Sequence, residues 1–158
     1  MELCNQFGIP ILSLCDTPGI MVGPEAEKQG TVRRASRLFI TGGQLKVPLL
    51  AIVLRKGYGL GAMAMVGGGF HIPVFTVAWP TGEFGAMGLE GAVHLGYKKE
   101  LAAIKDPEAR TKLYDKMVAE LYERGKGINM ATQLEIDDVI DPKAVSYTHL
   151  TLPTICSV

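Results

Sequence analysis

The chain has 158 residues, is 47% apolar and 20% charged, and carries 16 basic against 16 acidic side chains, for a formal net charge of zero. That length and composition fit one soluble globular domain. The charge balance argues against nucleic-acid or membrane-surface binding driven by bulk charge, and no run reaches the ~18 apolar residues needed to span a bilayer. The opening MELCNQFGIP lacks a basic n-region and a long apolar core, so no secretory signal is visible. Cys4, Cys15 and Cys156 have no C-x-x-C spacing. They read as reduced, buried thiols of a cytoplasmic protein and not as metal or redox groups.

In chain order, residues 9–15 read as a strand that ends in the turn Asp16-Thr17-Pro18-Gly19. Residues 25–44 read as one helix, with Glu25 and Glu27 early, Arg33, Arg34 and Arg37 later, and Gly42-Gly43 as its stop. Residues 48–54 are the next strand, 61–66 a helix, and 74–79 a third strand stopped by Pro80. Residues 88–96 form a short helix with Leu89, Val93 and His94 on related faces. Asp106-Pro107-Glu108 is a strong helix start, with an N-cap acid, proline at the first position and an acid behind it. That helix runs to Arg124, stops at Gly125, and carries Leu113, Met117 and Leu121 as its apolar stripe. A last strand or turn lies near residues 136–140. Strands alternating with helices predict an α/β fold with mostly parallel pairing, with no internal repeat and no linker between domains.

The densest signal is residues 47–65, VPLLAIVLRKGYGLGAMAM. An apolar strand stops at Arg55-Lys56, the glycines Gly57, Gly59 and Gly61 alternate, and a small-residue helix follows. A strand, tight turn and helix start of this kind aims backbone N–H groups at one point. Such a point binds a phosphate or stabilises an oxyanion.

Other motifs carry less. Asp16-Thr17-Pro18-Gly19 has the D-x-x-G form of GTPases, yet no G-x-x-x-x-G-K-[ST] run exists, and a structural strand-end turn is the better reading. Gly57-x-Gly59-x-Gly61 departs from the dinucleotide G-x-G-x-x-G and lacks an acid about 20 residues later; the glycines also admit a reading as helix–strand packing alone. There is no G-x-S-x-G elbow. His71 and His94 are isolated in sequence, and Ser13 and Ser36 fall inside a strand and a helix. Asp137, Asp138 and Asp141 fit a solvated acidic turn better than a metal site, and no metal is expected. A donor site without a side-chain base or nucleophile leaves electrostatic preorganisation as the available mechanism.

Four blocks, CDTPGIMVGPEAE (15–27), VPLLAIVLRKGYGLGAMAM (47–65), AWPTGEFGAMGLEGAV (78–93) and EIDDVIDP (135–142), together resemble the carboxyltransferase β-type subunits of biotin-dependent acyl-CoA carboxylases, of the propionyl-CoA and acetyl-CoA kind. The resemblance covers about residues 1–143. It implies a crotonase-like spiral of β-β-α units, here the later part of the second of two such domains and therefore incomplete. It implies a helix-start amide pair, Gly61 and Ala62, as the catalytic donors that bind the ureido oxygen of biotin as carboxybiotin releases carbon dioxide. The freed biotin nitrogen then takes the α-proton of the acyl-CoA, and the enolate attacks carbon dioxide.

Gly57, Tyr58, Gly59, Met63 and Ala64 are the cofactor-binding residues on this reading. The glycines admit the flat ureido ring to the backbone, and Met63 and Ala64 sit just inside the pocket. Many relatives carry Tyr-Asp where Met63-Ala64 stand, which leaves the acyl preference open; Ala64 suits a longer or branched group. The implied partners are a biotin carboxyl carrier protein, a biotin carboxylase, the acyl-CoA and further copies of the subunit, with biotin on the carrier because no Met-Lys-Met occurs here. The chain alone is expected to be inactive. Residues 144–158 carry no charged side chain and depart from the family. They read as a non-native tail of adapter or non-coding origin, the alternative being a natural threonine-rich strand. Two rival functions remain open at this stage: a crotonase-like hydratase, isomerase or decarboxylase, and a non-catalytic binding module.

Overall fold

The computed structural model describes residues 1–144; the tail reading and Cys156 lie outside them. Glu2–Phe7 (α1) leads to Ile11–Thr17 (β1), then Pro24–Lys28 (α2), Thr31–Gly43 (α3), Leu49–Tyr58 (β2) and Gly59–Met65 (α4). Phe75–Ala78 (β3) and Glu83–Gly85 (β4) precede Leu89–Gly96 (α5), Lys98–Ala103 (α6), Pro107–Arg124 (α7), Gly127–Thr132 (α8), Asp138–Val139 (β5) and Pro142–Ala144 (α9). Among the described residues no helix is long and apolar enough to cross a membrane.

All paired strands are parallel, in the order β1-β2-β3-β5, with β4 also on β2. β2 is the spine. Its first half pairs with β1 and with β3, from Leu50↔Phe75 to Val53↔Ala78. Its second half leaves β3 and takes β4, from Lys56↔Glu83 to Tyr58↔Gly85. Residues 49–53 of this central strand are buried on both faces, which is why LLAIV is an unbroken apolar run.

The two faces differ. Cys15, Val53 and Ala78 lie on one face and form a core with Ala62, Phe84 and Ile136, joined by Met65, Phe70 and Met130. Ser13 Oγ on the same face donates to Met65 O at 2.7 Å, tying β1 to α4. Ile52, Val77 and Ile140 lie on the other face, with Leu54, Phe75 and Trp79. Leu12 and Leu14, in register with Leu50 and Ile52, share that second face but are 40% and 51% exposed.

Several elements differ from the sequence expectation. The helix expected over 25–44 is two, α2 and α3, separated at Gln29-Gly30, where Gly30 adopts φ 64. Arg33 and Arg34 therefore sit in the first turn of α3 and Arg37 in its middle, and its last turn carries no base. β2 does not stop at Leu54: Arg55-Lys56-Gly57 stay in the strand because β4 offers a new partner. α1, β4, α6 and α8 had no sequence expectation; each has 3–6 residues, too short to show a period. The acidic run is not simply a solvated turn either. Asp137 Oδ2 accepts the Thr76 N–H at 2.6 Å while the Asp137 N–H donates to Thr76 O at 2.8 Å, docking β5 on β3. Asp138 and Asp141 accept the N–H groups of Val139 and Lys143.

Candidate active site

The β2–α4 junction is built from the sequence upward. Tyr58 is the N-cap in an extended conformation, Gly59 follows at φ 55, and α4 starts there, two residues earlier than expected. A left-handed residue at that point needs glycine, and a Cβ on Gly59 would meet Ala86 O at 2.6 Å. The left-handed turn into a helix makes successive amides converge. An α-helix pairs its N–H groups only from the fourth helical residue onward. With Gly59 first, Leu60 and Gly61 keep unpaired first-turn amides, whereas Ala62 is the first position with an i−4 carbonyl, that of Tyr58.

α4 has no side-chain cap and no acid in its first turn. Gly61 is small because the turn after β1 lies against it: an added Cβ would sit 2.8 Å from Gly19 C and 2.9 Å from Gly19 Cα. The D-x-x-G motif is thus a structural brace. Asp16 Oδ1 accepts the Lys56 N–H at 3.1 Å and Oδ2 lies 3.2 Å from Arg55 Nη2. The Lys56 N–H first, and the Arg55 guanidinium after it, hold the Asp16 carboxyl below its ordinary range. Next to it, burial and then the Asp16 charge push the Cys15 thiol up to about 11, so this cysteine stays protonated and inert.

In front of α4 is a cleft of about 720 Å³, with Gly57, Gly59, Leu60 and Met63 on one side. Phe70, Phe84, Leu89, Leu121 and Met130 make the rest of its lining largely apolar, and Arg124, Gln133 and Glu135 add the polar groups. Glu135 Oε2 is engaged with His71 Nε2 at 3.5 Å; His94, by contrast, is away from this cleft and stacks on Tyr114 at 4.7 Å.

Of the residues expected at the site, Gly57, Gly59 and Met63 line the cleft. Gly61 adjoins it in the chain and is covered by Gly19. Three sit differently. Ala62 is fully buried in the core beside Cys15 and Val53, so its small size answers to packing. Ala64 is 2% exposed and absent from the cleft lining, so it does not face an acyl group. Tyr58 is 2% exposed; its hydroxyl donates to Glu83 Oε2 at 2.8 Å and does not reach the cleft. The glycines, too, are explained by close approach of the chain to itself: a Cβ on Gly57 would meet Val53 Cγ1 at 3.2 Å. Sequence reasoning missed Leu60, Phe84 and Arg124. Leu60 stands between Gly59 and Gly61 and was legible as part of the turn; Phe84 and Arg124 reach the cleft only through β4 pairing and the end of α7.

Comparison with known proteins shows the family. The sequence matches the carboxyl transferase domain family over residues 1–152. It is 36% identical over 143 residues to the propionyl-CoA carboxylase carboxyltransferase subunit of Haloferax mediterranei, covering 90% of this chain and 27% of that protein. A solved single-chain, multi-domain long-chain acyl-CoA carboxylase is 58% identical with a TM-score of 0.80, over 95% of this chain and 15% of that one. The transcarboxylase 12S hexamer, solved with methylmalonyl-CoA bound, is 30% identical with a TM-score of 0.78, over 94% of this chain and 29% of that one. The chain spans about a quarter of the length of the curated relative, 27%.

Proposed function

Because this chain belongs to the carboxyl transferase domain family and has its crotonase-like α/β fold, we propose that it forms the biotin-facing part of an enzyme that carboxylates the α-carbon of an acyl-CoA. One observation carries the reading: a helix start entered through left-handed Gly59, with its first-turn residues Gly59 and Leu60 on the wall of an apolar cleft. Biotin, held on a separate carrier, would supply the carboxyl group and then a basic nitrogen. The donor set fits that role, since the amides of the first turn of α4 suit an oxyanion and ask for no protein base. Gly61 keeps the place the resemblance gives it. Leu60 takes the place of Ala62, whose N–H falls within the helical ladder. Gly57, Gly59 and Met63 would border the ring, and the apolar cleft wall would keep water from the reacting atoms.

The lining by Leu60, Met63, Phe70, Phe84, Leu89, Leu121 and Met130 favours a long acyl chain over an acetyl or propionyl group, and so does the 58% identity to a long-chain acyl-CoA carboxylase. The partners on this reading are a biotin carboxyl carrier protein, a biotin carboxylase and further copies of the subunit. Proline is tolerated in a first helical turn but has no N–H. Leu60→Pro in the complete subunit should therefore fold and lose carboxyl transfer by roughly 10²–10³ in kcat. A folded Leu60→Pro variant with wild-type transfer of labelled carbonate to acyl-CoA refutes the donor assignment. Acyl-CoA turnover without biotin would favour a hydratase, isomerase or decarboxylase, and indifference to both biotin and CoA a binding module.

A further inference from the structure

Four side chains behind the cleft form one polar group that the reaction described above leaves unused. Tyr58 Oη donates to Glu83 Oε2 at 2.8 Å, and Tyr122 Oη donates to Glu90 Oε1 at 2.8 Å. Burial, then the bond to Glu83 and the charges of Glu83 and Glu90, push the Tyr58 hydroxyl far above its ordinary value, so it remains a donor. The Glu90 carboxyl is held below its ordinary range by its own backbone N–H and then by Tyr122. The four residues come from four different walls of the cleft. Tyr58 occupies the N-cap position of α4, Glu83 opens β4, Glu90 is in the first turn of α5, and Tyr122 is in the final stretch of α7. Their neighbours Leu60, Gly85, Leu89 and Leu121 line the cleft.

The geometry points to Tyr58 as a positioning residue for carboxyl transfer, one that aims the first-turn amides of α4 through its hydrogen bond to Glu83. The inference rests on the reading of α4 as the oxyanion-binding element. A helix start that uses its N-cap side chain for capping is fixed by that cap. α4 has no such cap; its first turn is held by the packing of Gly61 on Gly19 and by the buried Tyr58 with its bond to Glu83. Tyr58 immediately precedes Gly59, its backbone pairs with Gly85, and its ring is buried. A rigid ring ending in a charge-assisted bond to a carboxylate resists rotation about the β2–α4 junction. Loosening that anchor tilts donors that act in the transition state and leaves the apolar contacts that bind substrate, so kcat falls while KM holds.

The test uses the complete enzyme with its carrier. Tyr58→Phe keeps the ring and removes the hydroxyl, and should lower kcat by about 10- to 100-fold with KM for acyl-CoA within about twofold. Glu83→Gln retains an acceptor and should keep kcat within about threefold, whereas Glu83→Ala should reproduce the Tyr58→Phe loss and the double variant should be no worse than either. Wild-type kcat in folded Tyr58→Phe, additive losses, or a kcat that only tracks the folded fraction overturns the inference. If Tyr58→Phe fails to fold, the contrast between Glu83→Gln and Glu83→Ala decides, and equal kcat in the two overturns it. A Leu60→Pro variant that loses transfer while Tyr58→Phe keeps it removes the positioning role alone; full transfer in Leu60→Pro removes the donor reading on which it stands.

Discussion

Two helix starts in this chain solve the same problem in opposite ways. At α7 the Asp106 carboxylate accepts the N–H groups of Glu108 at 3.3 Å and Ala109 at 3.2 Å, and Pro107 removes a further donor. At α4 the N-cap side chain turns away to Glu83, and the first turn carries neither cap nor acid. An N-cap of the first kind stabilises by about 1 kcal/mol, so α4 forgoes that much and keeps its first amides without a side-chain partner. The capped start is exposed and lies away from the cleft. The uncapped one borders the cleft and is held by β1, β4 and Tyr58. Most helix starts among the described residues lack a side-chain cap; what sets α4 apart is an open first turn that borders the cleft and is entered through left-handed Gly59.

The largest effect comes from disturbing the brace. Gly61→Ala would put a methyl 2.8 Å from Gly19 C and 2.9 Å from Gly19 Cα. Both atoms are backbone, so no rotamer change relieves the contact. Overpacking of this kind costs about 1–3 kcal/mol, and the shift displaces the donors as well. A lowered thermal midpoint together with lost carboxyl transfer is the expected result; an unchanged midpoint would mean that Gly19 yields easily and that glycine at 61 answers to something other than this contact.

The same contrast explains what was legible in the sequence. The start of α7 was readable because its cause is local: Asp106, Pro107 and Glu108 are consecutive and each acts on the next few amides. β1, β2, β3 and α5 were readable from apolar runs and turn residues. The strand–turn–helix at 47–65 is legible, but the strand runs four residues past Leu54 and the helix starts two residues before Gly61, since Arg55-Lys56-Gly57 look like a strand end and β4 pairing keeps the segment in the sheet. Three residues, Glu83–Gly85, hold no periodic signal of their own. The resemblance puts Tyr58 among the cofactor-binding residues; its burial and its bond to Glu83, 25 residues away, are not visible from its glycine neighbours. Ala62 and Ala64 looked like pocket-lining small residues, whereas the packing of α4 on β1 and β2 turns both into the core. Local chemistry was legible, and placement that depends on long-range pairing was not.

Breaking the capped start should have a smaller, cleaner effect. Asp106→Ala deletes two acceptors without changing any residue that lines the cleft. It should lower stability by about 1 kcal/mol, seen as a reduced midpoint in denaturant titration, with carboxyl transfer unchanged in the complete enzyme. Loss of activity at full folding would mean that the two helix starts are coupled through α7 and Tyr122.

The smallest effect is a pH dependence at the brace itself. Asp16 has a folded pKa below its ordinary value, through the Lys56 N–H first and the Arg55 guanidinium after it. A depressed carboxylate contributes stability that is present above its unfolded pKa of about 3.9 and is lost as pH falls through the folded value. Asp16→Asn removes the charge, so it should be less stable than the parent at pH 7, and the gap should narrow as the pH drops below about 4. The pair with Arg55 is largely solvent-exposed, 63% on the arginine side, so salt should shrink the gap too. Denaturant midpoints of the two proteins across pH 3–7 measure this directly. A gap that stays constant with pH would show that Asp16 braces the β1–β2 bulge by shape and hydrogen bonding alone, with asparagine able to serve in its place only in part. A gap that closes in acid ties the electrostatics of the D-x-x-G turn to the position of Gly19, and through Gly19 to the helix start that it supports.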